Sequence, residues 1–196
     1  CQTNLAGVLK TQADILALPF RKESFDLVVC LGVLQHTPSP ERSIAALWKM
    51  LKPGGWLVID HYTWDLSRAT RLFLLYRAFL YRMPPERAKA ITDRLVRFFF
   101  PLHYAVRHVR PLQMLLSRVS PCPVYLHAYP HLTKEQHYEF TRLDTFDGLT
   151  DRYKHMRSAR QIRRTLESLG ARNILVRRGG NGVEARAWKS GGDGAS

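Results

Sequence analysis

Two apolar runs that flank an amphipathic segment form the clearest hydrophobic pattern along the chain. The runs Phe25–Cys30 and Trp56–Tyr62 are typical of strands in a sheet core, the first of a strand buried on both faces. Between them a helix is predicted to open at Ser39 or Pro40 and to end at Lys52–Gly55, where Pro and Gly act as breakers. Its apolar positions recur at helical spacing: Ile44, Leu47, Trp48 and Leu51. Strand, helix and strand predict a parallel, right-handed βαβ unit whose ligands lie beyond the carboxyl ends of the strands.

Weaker patterns extend this unit in both directions along the chain. Val8–Ala13 is predicted to be a further strand. Toward the other end, Ser158 is a good N-cap for a helix that Gly170 ends. Asn173–Arg177 and Val183–Trp188 surround a Gly-rich turn and predict an antiparallel hairpin at the edge of the sheet.

Residues 63–157 leave this pattern and are dense in arginine and aromatic residues. Amphipathic helices are predicted here, broken at the prolines Pro84, Pro85, Pro101 and Pro111. Thr133 with Gln136 predicts a capping box that opens a short helix. One interpretation of this insert is a helical cap over the ligand site, with its arginines in solvent. The other is a surface that docks on anionic lipid or admits a large apolar substrate.

These patterns divide the chain into four parts. The predicted parts are core residues 1–62, the helical insert 63–157, core residues 158–189 with the last helix and hairpin, and a flexible tail 190–196.

The composition limits the class of protein. The 196 residues are 45% hydrophobic and 23% charged, as in a globular domain. Cys1, Cys30 and Cys122 form no CxxC pair and the eight histidines are dispersed, so neither a disulfide framework nor a metal site is expected. The sequence shows no signal peptide and no apolar run of about 20 residues. This predicts a cytoplasmic protein, or a membrane-peripheral one if the insert contacts lipid.

The formal net charge of +14 favours anionic partners, either a membrane surface or nucleic acid. The arginines form no RNP or helix-turn-helix signature, so no specific nucleic acid is expected as a partner.

Three consecutive segments give the chain a specific resemblance: QADILALPF, FDLVVCLGVLQH and PERSIAALWKMLKPGGWLVI. In this order and spacing they resemble the region from the end of the third strand to the fifth strand of class I S-adenosylmethionine-dependent methyltransferases of the small-molecule type. The resemblance implies an α/β, Rossmann-like methyltransferase sheet, incomplete at the amino terminus, with a helical insert after the fifth strand. It implies S-adenosylmethionine as the cofactor. It also predicts that the Gly-rich cofactor turn lies upstream of Cys1, so that this fragment alone is inactive.

The same resemblance implies four cofactor-binding residues. Asp14 corresponds to the acidic residue that meets the adenine amino group, and Ile15 lies beside the ring. Leu31 and Gly32 follow the central strand and lie near the methionine moiety. For Asp14 there is a second interpretation, in which its carboxylate caps the next turn through the backbone.

His36 is the candidate catalytic base. It follows the central strand by six residues, and an imidazole there can accept a proton from an acceptor hydroxyl near working pH. The alternative is a structural histidine that hydrogen-bonds the loop backbone and helps to cap the helix.

Candidate acceptor-binding residues come from two regions. His61 and Tyr62 end the second strand of the βαβ unit. The run LDTFDGLTDRYKHM is similar to the tail of a bacterial methyltransferase group, and it adds Asp144, Asp147, Tyr153 and His155. The alternative for these four is that they are surface turn residues.

The resemblance implies methyl transfer from S-adenosylmethionine to a small-molecule or lipid-like acceptor, and we expect transfer to oxygen by in-line displacement at the carbon next to sulfur. The alternative is a methyltransferase-like protein without catalytic activity that binds a membrane surface or nucleic acid.

Overall fold

The computed structural model describes residues 7–64, 72–180 and 182–191. The chain forms two compact units. The first consists of Cys1–Thr63 with His155–Ser196, and the second of Trp64–Lys154. The predicted boundaries at residues 62/63 and 157/158 stay a prediction.

The first unit holds the sheet and the second is helical. The strands are β1 (Phe25–Cys30), β2 (Leu51–Tyr62), β3 (Arg172–Gly179) and β4 (Gly182–Trp188). The described helices are α1 (Pro40–Met50), α2 (Phe73–Leu80), α3 (Pro85–Ala105), α4 (Arg110–Val119), α5 (Lys134–Thr150) and α6 (Ala159–Ser168), with a 3-10 turn at Leu34–His36.

The sheet confirms the predicted βαβ unit. Its order is β1-β2-β4-β3, with β1 parallel to β2 and both other pairs antiparallel. Cys30 lies opposite Ile59, so the two parallel strands end at the same edge of the sheet. Helix α1 begins after Ser39 as predicted but ends at Met50, and Leu51 with the predicted breakers Lys52–Gly55 belongs to β2. The β3–β4 hairpin forms as predicted. The α/β fold class is confirmed.

One hydrophobic core serves the first unit. Side chains of α1, α6 and the sheet meet there, and Ile44, Leu57, Ile59 and Leu166 have almost no exposed surface. The predicted N-cap of α6 is confirmed, since the Ser158 hydroxyl accepts a hydrogen bond from the backbone N–H of Gln161 at 3.3 Å.

Two predictions for the first unit are wrong. Strand β1 is not buried on both faces: Leu27 and Val29 are 54% and 55% exposed, because no described element covers the face that carries them. Val8–Ala13 forms no strand, and its residues are exposed. A strand needs a neighbour for its backbone hydrogen bonds, and no described strand lies beside this segment.

In the second unit, α3 continues through Pro101, so the predicted break at this proline is wrong. Proline removes one backbone hydrogen bond, but Val96, Phe99, Phe100 and His103 are buried on either side, and this packing holds the helix together. Helix α5 is also longer than the short helix predicted, with 17 residues. Its capping box is confirmed, because Gln136 N–H donates to the Thr133 hydroxyl at 3.2 Å and the Gln136 side chain accepts from Thr133 N–H at 2.8 Å.

The second unit has its own core. Val96, Phe99, Phe100 and Cys122 are buried together. Arg77 forms an ion pair with Asp151 and donates to the carbonyl of Gly148 at 2.9 Å, which joins α2 to the end of α5. Among the described residues, no helix is both long and apolar enough to cross a membrane.

Candidate functional site

The loop after β1 is tied to β2 through a buried carboxylate. Gly32 N–H donates to Asp60 Oδ1 at 2.6 Å, and Asp60 is buried near the end of β2. Gly32 has φ +72°, a conformation that favours glycine, and a Cβ built on it would meet nothing within 4 Å. Leu31 beside it is exposed. The backbone of these two residues is therefore fixed by Asp60 yet open to a ligand.

Sequence reasoning missed the role of Asp60. The available signal was a carboxylate inside an otherwise apolar strand, since a buried charge requires a hydrogen-bonding partner. Asp60 also contributes, after burial itself, to raising the pKa of the Cys30 thiol to about 11. Cys30 is therefore a protonated packing residue and not a nucleophile.

Gln35 is a second residue that sequence reasoning missed. It lies in the 3-10 turn after β1 and is fully buried. Within the described residues, neither its amide nitrogen nor its amide oxygen has a hydrogen-bond partner. A buried, unsatisfied amide costs about 1–3 kcal/mol, so Gln35 is a candidate polar group of the site.

His61, at the end of β2, is also fully buried. Its Nδ1 lies 2.9 Å from the Tyr62 carbonyl oxygen and therefore donates to it, which leaves Nε2 as the acceptor nitrogen. Nε2 has no partner among the described residues. Burial is the main cause that lowers the pKa of His61, so the ring is neutral and can accept a hydrogen bond from a hydroxyl group.

Hydrogen bonds link the segment around Arg157 to residues that follow or end these strands. Arg157 N–H donates to the Tyr62 carbonyl at 2.8 Å, and His155 N–H donates to the Gln35 carbonyl at 2.9 Å. The Arg157 guanidinium forms two hydrogen bonds with the Glu41 carboxylate, at 2.5 and 3.2 Å. These bonds are the main cause that lowers the pKa of Glu41. Residues far apart in sequence are thereby held at one end of the sheet.

His36, the predicted base, lies at the same end. It is half-buried at the close of the 3-10 turn, and its ring meets the Tyr62 ring edge-on at 5.4 Å between centroids. Its backbone N–H donates to the Val33 carbonyl at 2.9 Å. The structure therefore brings His36 and Tyr62 together, and the assignment of His36 as a base stays a prediction.

The hydrogen bonds of Asp14 have the geometry of the alternative interpretation, in which its carboxylate caps the next turn. Its Oδ1 accepts from Leu16 N–H at 2.9 Å, and its carbonyl accepts from Ala17 N–H at 2.9 Å, so it caps its own turn. Ile15 is half-buried against the core of the first unit. The carboxylate is exposed and uses one oxygen in this turn, so the predicted adenine contact stays a prediction.

The other predicted acceptor residues divide between the two units. His155 lies in the first unit, with Gln35 and His61, whereas Asp144, Asp147 and Tyr153 lie in the second. Asp144 accepts a hydrogen bond from the Tyr125 hydroxyl at 3.0 Å, and Asp147 is exposed on α5. The side chain of Arg152 lies 5.8 Å from the centre of the Tyr153 ring. Their acceptor-binding roles stay predictions. In the part of the chain that the structure describes, no three side chains are grouped to bind a metal ion.

Comparison with known proteins gives a family match for the first third of the chain. Residues 2–59 match the family model described as "Methyltransferase domain". Over 63 residues the chain is 41% identical to the probable tRNA methyltransferase 9B of Mus musculus, covering 31% of this chain and 14% of that protein. Over 51 residues it is 37% identical to the ubiquinone biosynthesis O-methyltransferase of Thiobacillus denitrificans, covering 26% of this chain and 20% of that protein. The chain thus spans about a fifth or less of the length of these curated relatives.

Two solved structures match most of the chain with TM-scores below 0.5. A SAM-dependent methyltransferase from Thermotoga maritima gives a TM-score of 0.43 at 12% identity, covering 94% of this chain and 65% of that chain. Human N-acetylserotonin methyltransferase in complex with SAM gives 0.40 at 14% identity, covering 92% and 33%. The match over residues 2–59 confirms the methyltransferase resemblance and supports S-adenosylmethionine as the cofactor.

Proposed function

We propose that the whole protein carrying this chain transfers a methyl group from S-adenosylmethionine to the hydroxyl oxygen of a small-molecule or lipid-like acceptor. The observation that carries the proposal is the methyltransferase-domain match over residues 2–59, which ends at the strand that positions Asp60 and His61. Unpaired, buried polar atoms at that end of the sheet support it, because a hydroxylated acceptor would satisfy them.

Four residues would hold the cofactor. Gly32, which has open space where a Cβ would lie, and the exposed Leu31 would lie beside the methionine moiety, and Ile15 with Asp14 would lie at the adenine. When bound, S-adenosylmethionine supplies a methyl carbon on a positively charged sulfur, and the acceptor oxygen attacks that carbon in line with the leaving sulfur. The contribution of the chain is to fix the loop after β1 through Asp60, so that the two reacting groups are aligned.

The acceptor hydroxyl has two histidines available at the end of the sheet. His61 is neutral and buried, so its Nε2 would hold the hydroxyl by accepting its hydrogen bond. His36 is half-buried and is the proposed base that takes the proton as the oxygen attacks. The proton would move from the acceptor oxygen to an imidazole nitrogen of His36, while that oxygen takes the methyl group and the sulfur leaves as a neutral thioether.

The relatives support two kinds of acceptor. The similarity to an O-methyltransferase of ubiquinone biosynthesis favours a small hydroxylated molecule. The similarity to probable tRNA methyltransferase 9B favours tRNA as the second candidate, and the basic character of the chain agrees with it. We prefer the small molecule because, among the described residues, the Gln35 amide and the His61 imidazole nitrogen lack partners, and two such groups suit a single hydroxylated molecule.

A methyl-transfer assay separates these candidates. The whole protein is incubated with methyl-labelled S-adenosylmethionine and either a panel of phenols and other hydroxylated small molecules or total tRNA. We expect label in an organic-soluble methyl ether and none in tRNA, and we expect His36→Gln to lower kcat about 100-fold. His131→Gln, at an exposed histidine of the second unit, is the control and should retain full kcat. Label in tRNA alone would replace the proposed acceptor, and cofactor binding without transfer to any acceptor would favour the non-catalytic alternative.

A further inference from the structure

Helix α3 carries arginines and apolar side chains on one exposed face. Arg94, Arg97, Phe98 and Leu102 follow one another at helical spacing, and all four are exposed, Phe98 by 64%. The opposite face carries Val96, Phe99 and Phe100 into the core of the second unit. The outer face of α3 is therefore not the polar face that a solvated helix normally shows.

Helix α4 has the same character. None of its ten residues is buried. Leu112, Leu115 and Val119 lie at positions i, i+3 and i+7, which places them on one face, and all three are exposed. Next to them, Leu116 packs against the core of the second unit. The core of the second unit therefore covers only part of the apolar side chains of α4 and leaves the others exposed.

The positive charge of the second unit is concentrated in the same region. Residues 72–119 contain nine arginine or lysine residues and two acidic residues, whereas residues 120–154 contain four basic and five acidic residues. Of the two acidic residues, Asp93 is already paired within the unit, with Lys89 at 2.9 Å. The basic excess of the second unit therefore lies in the part of the sequence that contains α3 and α4.

We propose that the exposed basic–apolar faces of α3 (Arg94, Arg97, Phe98 and Leu102) and of α4 (Leu112, Leu115 and Val119), together called the basic–apolar surface, dock the protein on an anionic lipid membrane. Leucine, valine and phenylalanine side chains would enter the boundary between headgroups and acyl chains, while the arginines pair with lipid phosphates. Because no described helix can cross a bilayer, the contact would be at the surface. The proposal is independent of methyl transfer.

The side-chain types favour lipid over RNA as the anionic partner. Binding of single-stranded nucleic acid uses aromatic side chains on which bases stack, and binding of a duplex uses polar contacts to phosphate and sugar. Phe98 on α3 is the one aromatic side chain among the residues named for this surface, whereas the exposed large apolar residues of α4 (Leu112, Met114, Leu115 and Val119) offer no stacking surface and suit insertion among acyl chains. Binding to RNA is therefore treated as a competing outcome of the test.

The test is co-sedimentation of the whole protein with vesicles of phosphatidylcholine alone or mixed with phosphatidylglycerol, at low and high salt. We expect binding only to the mixed vesicles, weakened by salt because exposed charges are screened. Leu115→Ser should reduce the partition coefficient by about tenfold, since a leucine side chain contributes a few methylene groups of burial. Leu143→Ser is a matched control, because Leu143 is 64% exposed on α5 and Leu115 is 66% exposed on α4.

A second pair of variants separates charge placement from net charge. Arg94→Gln with Arg97→Gln should lower binding by about tenfold or more. Arg163→Gln with Arg164→Gln removes the same charge from exposed positions of α6 and should leave binding nearly unchanged. Equal loss with both pairs, equal loss with Leu115→Ser and Leu143→Ser, or no preference for anionic vesicles would overturn the proposal. Salt-sensitive binding to RNA that Arg94→Gln and Arg97→Gln abolish, with no vesicle binding, would assign the surface to nucleic acid instead.

Discussion

The ion pair between Arg157 and Glu41 is expected to contribute about 1 kcal/mol of coupling to the stability of the first unit. A buried hydrogen bond to a charged group contributes about 1.5–3 kcal/mol, and this pair has two such bonds, at 2.5 and 3.2 Å. The side chains are 21% and 44% exposed, however, so solvent screening reduces the value to about 1 kcal/mol.

The assay is a double-mutant cycle with Arg157→Met and Glu41→Gln, using urea unfolding followed by tryptophan fluorescence. Three of the four tryptophans, Trp48, Trp56 and Trp188, lie in the first unit, so the signal reports mainly on that unit. The control is the same cycle with Lys52→Met and Asp26→Asn. That pair is bonded at 2.9 Å but is 44% and 83% exposed, and its coupling should be below about 0.5 kcal/mol.

The pH dependence gives an independent check. Hydrogen bonding to Arg157 lowers the pKa of Glu41 in the folded state below its usual value of 4.5. The stabilisation is therefore fully present above the unfolded pKa and is lost as pH falls through the folded pKa. A coupling that is equal to the control, or that persists at a pH where Glu41 is protonated, would refute this explanation of how Arg157 is held at the site.

Three further predictions concern the core and the buried titratable groups. Leu166→Ala should lower the free energy of unfolding by about 2–5 kcal/mol in a denaturant titration, because Leu166 is fully buried. Leu143→Ala, at an exposed site, should change it by less than about 0.5 kcal/mol. Equal losses in the two variants would contradict the assignment of Leu166 to the core. Cys30, with its pKa raised to about 11 by burial, should stay unmodified by iodoacetamide at pH 8 until urea unfolds the protein, and rapid labelling in the native state, read by peptide mass spectrometry, would contradict its burial. Burial lowers the pKa of His61 in the folded state, so below about pH 6.5 the unfolded chain binds a proton at this residue more readily than the folded chain does. The free energy of unfolding should therefore fall as the pH drops below about 6.5. His61→Asn should reduce this acid-induced loss and His36→Asn should retain it, and an unchanged pH profile for His61→Asn would show that His61 is not the group responsible.

Local sequence patterns predict the elements whose partners are near in the chain. The helix that begins at Pro40 follows from its apolar spacing, and the hairpin at Arg172–Trp188 follows from its turn glycines. Val8–Ala13 has a strand pattern but forms no strand, because strand formation requires a partner and none of the described strands lies beside it. The local sequence predicts that Pro101 breaks the helix, but α3 continues through it because the tertiary packing of its neighbours outweighs the lost hydrogen bond.

The sequence predicts where the candidate site lies in the fold, but it identifies only some of the residues found there. A βαβ pattern fixes where the strands end, so His36, His61 and Tyr62 could be chosen from sequence alone. Arg157 could not, because its partner Glu41 is 116 residues away and no local pattern links them. Gln35 could not be chosen either, because no neighbouring residue in the sequence indicates that its amide is buried without a partner among the described residues.

The most direct test of the account is calorimetric titration of the whole protein with S-adenosylmethionine, comparing Gly32→Ala with Gly170→Ala. Both glycines have positive φ, +72° and +75°, and both have open space where a Cβ would lie, so the two substitutions strain the backbone to a similar degree. Only Gly32 lies in the loop tied to Asp60. We predict that the unaltered protein binds the cofactor, that Gly32→Ala weakens binding about tenfold or more, and that Gly170→Ala leaves the affinity unchanged. No binding by the unaltered protein, or equal affinity in both variants, would contradict a cofactor site at the carboxyl end of β1.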